Sequence, residues 1–247
     1  MGKKAVTEQP NGDQVLLMPL PVGISNCPPG LEYIAAVDQL IFKQEVSIFE
    51  ALTGFEVKNK YRVFNSLNQQ AYWVLEESDT CNRIWAGPQR GFVFHVTDNN
   101  QQDVMTIERP FLNCKGCCWC ADGCCKYPIY VKDKAGRKLG MIRMMNSCCK
   151  LHFGVYDENE VMLYEIWSPC CPCNCGGDID FPIRSVKDNE VVGNVAKTWS
   201  GTLKEFLTDA DTYCLTFPMN LDVAHKALMF ACVFQIDFAV FETQKNQ

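Results

Sequence analysis

The stretch Val223–Phe241, VAHKALMFACVFQIDFAVF, decides how the rest of the chain is read. A helix that is apolar on every side has no wet face to offer, so it is buried either in protein or in lipid. From Ala227 to Phe241 such a helix is roughly 22 Å long, against a hydrocarbon layer of about 30 Å. Extending it back to Val223 lengthens it but takes in His225 and Lys226. Gln235 and Asp237 fall about 200° apart on a helical wheel, so no single polar stripe hides both. In lipid the aspartate alone costs on the order of 3 kcal/mol near the centre. In a protein core each polar group can be given a partner. The segment is therefore expected to be a core helix, over about residues 221–241, with Ala227, Phe230, Phe234, Asp237 and Phe241 inside. A membrane span is the alternative.

Working back from this helix, the chain repeats one unit: a strand, a polar turn rich in Asn and Asp, and a return strand. The units are Tyr61–Glu76 around Leu67-Asn68-Gln69, Phe92–Glu108 around Asp98-Asn99-Asn100, and Pro128–Met144 around Asp133-Lys134-Ala135-Gly136. Two more are Leu151–Trp167 around Asp157-Glu158-Asn159 and Phe181–Lys197 around Asp188-Asn189. Their strands favour β-branched and aromatic residues, and their turns favour residues that tolerate left-handed geometry, which is the hairpin pattern. Successive hairpins imply a large antiparallel sheet or barrel. Leu40-Ile41-Phe42 and Tyr213–Phe217 read as further strands, and Thr202-x-x-Glu205 as a capping box. Asn220 is expected to cap the terminal helix, with Asp222 in its first turn.

Residues 1–28 form a proline-containing leader, with residues 29–247 as the single large domain that follows. The net charge of −6 and pI near 5.2 argue against nucleic acid as a partner. Lys3-Lys4 is not followed by an apolar run, so no secretory signal is expected. Val6 stands where an N-myristoylation signal wants Ser or Thr. Sixteen cysteines in a reducing compartment then point to lipidation, metal or redox chemistry rather than a disulfide scaffold. They cluster in the connectors between hairpins: CKGCCWCADGCC from Cys114 to Cys125, Cys148-Cys149, and CCPCNC from Cys170 to Cys175. All three fall at the end of the sheet opposite the Asn/Asp turns. Acylation needs only exposed thiols beside a membrane. Zinc is the alternative, suggested by the C-x-x-C pairs Cys114/Cys117 and Cys170/Cys173. Neither G-x-S-x-G, H-E-x-x-H nor a P-loop occurs, so a hydrolytic enzyme is not expected. Cys148 and His152 are read as a chance pairing rather than a nucleophile and base. Asp209-Ala210-Asp211 opens a twelve-residue segment ending at Asn220, which places two acids at EF-hand positions. Cys214 replaces the turn glycine and Asn220 the bidentate acid, so Asp209, Asp211 and Asn220 make at most a weak Ca²⁺ site, about 10⁻⁴–10⁻³ M.

From Cys27-Pro28-Pro29-Gly30-Leu31-Glu32-Tyr33 to Phe241-Glu242 the chain resembles the phospholipid scramblase family. The resemblance runs through Leu52-Thr53-Gly54-Phe55-Glu56, Glu108-Arg109-Pro110, Gly177-Asp178-Ile179-Asp180-Phe181, Val191-Val192-Gly193 and Thr208-Asp209-Ala210-Asp211 to Ile236-Asp237-Phe238. It implies a mainly β, tubby-like fold: a closed antiparallel barrel of about twelve strands around a central hydrophobic C-terminal helix. It also implies Ca²⁺-stimulated, ATP-independent movement of phospholipids between leaflets, not an enzymatic reaction. The family's palmitoylated cysteines fall on Cys117, Cys118, Cys120, Cys124 and Cys125. These would hold the protein on the cytoplasmic face of the plasma membrane, with a protein partner or a second copy as a further expectation. A lipid-anchored adaptor without transport activity is the competing reading.

Overall fold

The structure is a computed structural model and describes residues 15–24, 27–45, 59–77, 91–111, 128–148, 150–169, 178–198 and 211–242. A short helix α1 (Glu32–Ala35) leads into strand β1 (Gln39–Gln44). Five hairpins follow: β2 (Lys60–Asn65) with β3 (Gln70–Glu77), β4 (Phe92–Thr97) with β5 (Asp103–Arg109), and β6 (Ile129–Asp133) with β7 (Lys138–Met145), then β8 (His152–Asp157) with β9 (Met162–Trp167) and β10 (Ile179–Ser185) with β11 (Val191–Thr198). Strand β12 (Thr212–Thr216) precedes helix α2 (Val223–Ile236), which widens into a π-helix over Asp237–Glu242. All twelve strands close into one antiparallel barrel. Closure comes from β1, which pairs with β2 on one side and with β12 on the other, Gln39 facing Thr216 and Lys43 facing Thr212. A closed barrel has no edge strand left to pair elsewhere.

The hairpins share one turn device. Asn65, Asp98, Asp133 and Asp157 each accept, through side-chain Oδ1, the main-chain N–H groups two and four residues on. Two residues before the returning strand begins the chain turns left-handed, at Asn68 (φ 56°), Gln101 (φ 61°), Gly136 (φ 78°) and Glu160 (φ 63°). The fifth turn does the same at Asn189 (φ 58°). In every hairpin the register slips at that end, between Val63/Phe64, Val96/Thr97, Val131/Lys132, Val155/Tyr156 and Ile183/Arg184. A three-residue loop closed by a left-handed residue and a bulge is a common hairpin solution, which is why Asn and Asp recur there.

Inside the barrel lies α2. Strand residues alternate in and out, so Phe92, Phe94 and Val96 face inward along β4, for example. The inward rings grip the helix: Phe42 packs edge-on against Phe230 and Phe234, Tyr61 against Phe234, and Phe92 stacks on Phe238. Gly140 lets the helix approach β7, because a Cβ there would lie 2.1 Å from the Tyr156 carbonyl oxygen and 2.9 Å from Leu228 Cδ2. The helix enters at the end of the barrel that carries the hairpin turns, since β12 finishes there beside the start of β1. It finishes at the opposite end, where the connectors between hairpins run. Val223–Phe241 is long and apolar enough to cross a membrane, yet most of it is buried by the barrel wall.

Candidate functional site

Two buried charges mark the ends of the helix. At the turn end Asp222, rather than Asn220, is the cap: its Oδ1 accepts from Ala224 N–H at 2.9 Å and His225 N–H at 3.4 Å. Asp222 directly precedes the first helical residue, the position where a short acceptor reaches the free N–H groups. One turn further on, Lys226 is fully buried. Its ammonium donates to the carbonyls of Val37 (2.7 Å), Met219 (2.8 Å), Ala35 (3.1 Å) and Ile34 (3.3 Å). Burial lowers its pKa below the usual lysine range, partly offset by the nearby Asp38. Helix α1 is held over the same end by Tyr72, whose hydroxyl accepts from Ile34 N–H and donates to the Gly30 carbonyl.

At the connector end Asp237 is 6% exposed. It accepts the Tyr61 hydroxyl at 2.5 Å on Oδ2 and the Tyr213 hydroxyl at 2.7 Å on Oδ1. Desolvation, then the charge of Asp211, raises its pKa above the ordinary aspartate value, while the two phenols act against the rise. Around it, Lys197 forms an ion pair with Asp211 at 2.7 Å and sits 3.8 Å from the centre of the Phe241 ring. Arg109 lies beside the stacked rings of Phe92 and Phe238, at 4.4 and 4.7 Å from their centres. Gln235 fares differently from Asp237, since neither its Oε1 nor its Nε2 has a hydrogen-bond partner among the described residues.

The five helix residues expected inside, Ala227, Phe230, Phe234, Asp237 and Phe241, are all buried in the barrel. Cys117, Cys118, Cys120, Cys124 and Cys125 lie outside the described residues, as do Asp209 and the capping box at Thr202. Among the cysteines described, Cys148 is exposed in the β7–β8 connector and Cys232 is buried in α2. Of the expected cation ligands, Asp211 immediately precedes β12 and is tied to Lys197, while Asn220 follows the strand. Strand β12 therefore stands between them, where an EF-hand would place a compact loop. Among the described residues no group of three or more His, Cys, Asp or Glu side chains could hold a metal ion. His152 has a structural setting: Nε2 lies 3.1 Å from Glu165 and the ring stacks on Trp167 at 3.7 Å. Sequence reasoning missed Lys226, Tyr61 and Tyr213 as partners of the helix ends. The signal for these was the presence of Lys226 and Asp237 in a largely apolar helix, each of which needs a partner.

Fold and site together define a plugged antiparallel barrel, with an apolar helix as its core and an ionisable group buried at each end of that helix. A family model described as Scramblase matches residues 18–243. The chain is 41% identical over 230 residues to the Homo sapiens protein named phospholipid scramblase 1, covering 93% of this chain and 71% of that one. It is 40% identical over 234 residues to the Bos taurus protein named phospholipid scramblase 2, covering 95% and 78%. A third relative, the Homo sapiens phospholipid scramblase family member 5, is 33% identical over 94% of this chain and 86% of its own length. A solved structure of an Arabidopsis thaliana protein aligns with 85% of this chain and 99% of its own, at a TM-score of 0.42 and 7% identity, too distant to carry any argument. The chain belongs to the Scramblase family.

Proposed function

We propose that this protein moves phospholipids between the two leaflets of a membrane without ATP, and that acylated cysteines on its connectors hold it at the cytoplasmic face of the plasma membrane. The observation that carries the reading is the length of the match: relatives named phospholipid scramblases align with more than nine-tenths of the chain at 40–41% identity. The anchor is argued from Cys117, Cys118, Cys120, Cys124 and Cys125, because several acyl chains bind far more firmly than one. Zinc bound by the cysteine clusters is the competing use of the same residues, and stoichiometric metal in purified protein would favour it. Ca²⁺ acts as a stimulus in this reading, in the range of about 10⁻⁴–10⁻³ M. To take Asp211 as a ligand it must displace the Lys197 ammonium.

A second reading, a lipid-anchored adaptor without transport activity, is favoured by one specific observation. The apolar helix that could cross a membrane is the core of the barrel, and a headgroup needs a polar path across a low-dielectric layer. Transport by this fold therefore calls for an opened barrel, a second copy or a protein partner.

Reconstitution into liposomes carrying a fluorescent lipid, with an external reductant, separates the two. Lipid exchange brings inner-leaflet probe within reach of the reductant, so the signal falls below the plateau of protein-free liposomes, and further with Ca²⁺. A plateau equal to that of protein-free liposomes, for protein shown to be inserted, sinks the transport reading. Serine at Cys117, Cys118, Cys120, Cys124 and Cys125 should release the cellular protein from membranes, and hydroxylamine should do the same to the native chain.

A further inference from the structure

Outside the barrel, between β1 and β2, lies a cavity of about 470 Å³ that the plug helix does not touch. Lys43 and Arg62 face each other across the two strands as register partners, and both project from the outer wall. Like charges directly opposite one another on a sheet destabilise it. Glu45 answers only one of them: its Oε1 lies 2.6 Å from Arg62 Nε, outside hydrogen-bond geometry. Lys43 has no carboxylate within ion-pair distance among the described residues; its ammonium donates to Asn68 Oδ1 at 3.2 Å and lies 4.8 Å from the Phe64 ring centre.

Apart from Asn68, the other lining residues are apolar. Val15 and Leu16 belong to a segment docked on the start of β3, where Leu17 bridges Gln70, Met18 N–H donates to the Gln70 carbonyl and Gln70 N–H to the Leu16 carbonyl. Leu67 reaches in from the β2–β3 turn. Leu16 and Leu67 remain 61% and 74% exposed, so their side chains are open to a ligand in the groove. Two cations side by side suit a phosphate, and the adjoining leucine and valine surface suits a hydrocarbon chain.

The geometry points to this groove as a binding site for an anionic phosphate-bearing amphiphile. The phosphate is held between Lys43 and Arg62, and the first carbons of its chain lie along Val15, Leu16 and Leu67. The choice of a lipid over other amphiphiles rests on the phospholipid reading above. The groove is separate from any path through the barrel, so one lipid can be held while others move.

The test titrates the full chain, free of membranes, with monomeric dihexanoyl phosphatidic acid, dihexanoyl phosphatidylcholine and glycerol 3-phosphate, read by calorimetry and tryptophan emission. Phosphatidic acid should bind at least about tenfold more tightly than either of the others, because phosphatidylcholine carries its own cation and glycerol phosphate has no chain. Lys43→Gln with Arg62→Gln should weaken it by about tenfold or more, while Lys43→Arg with Arg62→Lys stays within a few-fold of the native chain. Arg62 lies 5.7 Å from the Trp73 ring centre, so ligand binding should shift an emission component that Trp73→Phe removes. Equal binding by the Gln pair would overturn the proposal. So would glycerol phosphate binding as tightly as the lipid, or an emission change that persists in Trp73→Phe, which also decides the matter if the Gln pair fails to fold. Liposome exchange is a separate measurement: its absence leaves this binding intact, and loss of binding leaves exchange free to persist.

Discussion

At the turn end of the barrel Lys226 gives its ammonium to four main-chain carbonyls, whereas at the connector end Asp237 receives the hydroxyls of Tyr61 and Tyr213. Both charges stand on the same helix and both oppose its dipole, which favours anions near the N-terminus and cations near the C-terminus. Neither is placed there by the helix itself, so each is held by the groups around it. The partners differ in kind. Carbonyls from the end of α1, the α1–β1 connection and the β12–α2 turn belong to the backbone and do not titrate. The partners of Asp237 are side chains, beside the Lys197–Asp211 ion pair, and Asp237 itself opens the π-helix. The clasp at the turn end is built from main-chain groups, and the one at the connector end from side chains that carry their own protons and charges.

The comparison breaks most severely from the middle. Phe234 packs on Phe42, Tyr61, Phe94 and Phe230, so Phe234→Ala should cost about 3–5 kcal/mol in denaturant unfolding. A loss below about 1 kcal/mol would mean that the helix is not core. Lys226→Met keeps the stem but leaves buried carbonyls without a donor, and should cost about 2–4 kcal/mol. Asp237→Asn keeps an acceptor for at least one phenol and should cost less, under about 2 kcal/mol.

Its signature is the pH dependence. A carboxyl whose folded pKa is raised favours folding in its protonated form. That contribution is complete below the unfolded value of about 4 and disappears as pH rises through the higher folded value. The native chain should therefore lose stability relative to Asp237→Asn as pH climbs from about 4 towards neutrality. Matched unfolding curves across that window check it, and parallel stabilities would show that Asp237 does not titrate on folding. The smallest effect belongs to the turns: Asn68→Ala removes a residue suited to φ 56° and should cost about 1 kcal/mol in thermal unfolding.

The hairpins were legible in the sequence because their chemistry is local. Period-two alternation marks the strands, and Asn or Asp at the end of the outgoing strand accepts from N–H groups only two and four residues away. Barrel closure was not readable from the residues alone, since Gln39 and Thr216 meet across most of the chain. The helix was recognised from its composition, but its cap was read two residues early, at Asn220. Lys226 looked like a defect in an apolar run because its acceptors are main-chain carbonyls, which leave no trace in side-chain identity. Tyr61 and Tyr213 read simply as strand aromatics, although their hydroxyls are what permit Asp237 inside. Gln235 and Asp237 looked equivalent from the sequence, yet of the two only Asp237 has partners among the described residues.

Amide hydrogen exchange across Val223–Phe241, in detergent-free solution with and without phospholipid vesicles, tests the plug most directly. Buried by twelve strands, the helix amides should be among the slowest in the chain without vesicles and unchanged when vesicles are added. Rapid exchange in solution that becomes protected only on adding vesicles would show that the helix belongs to the membrane instead.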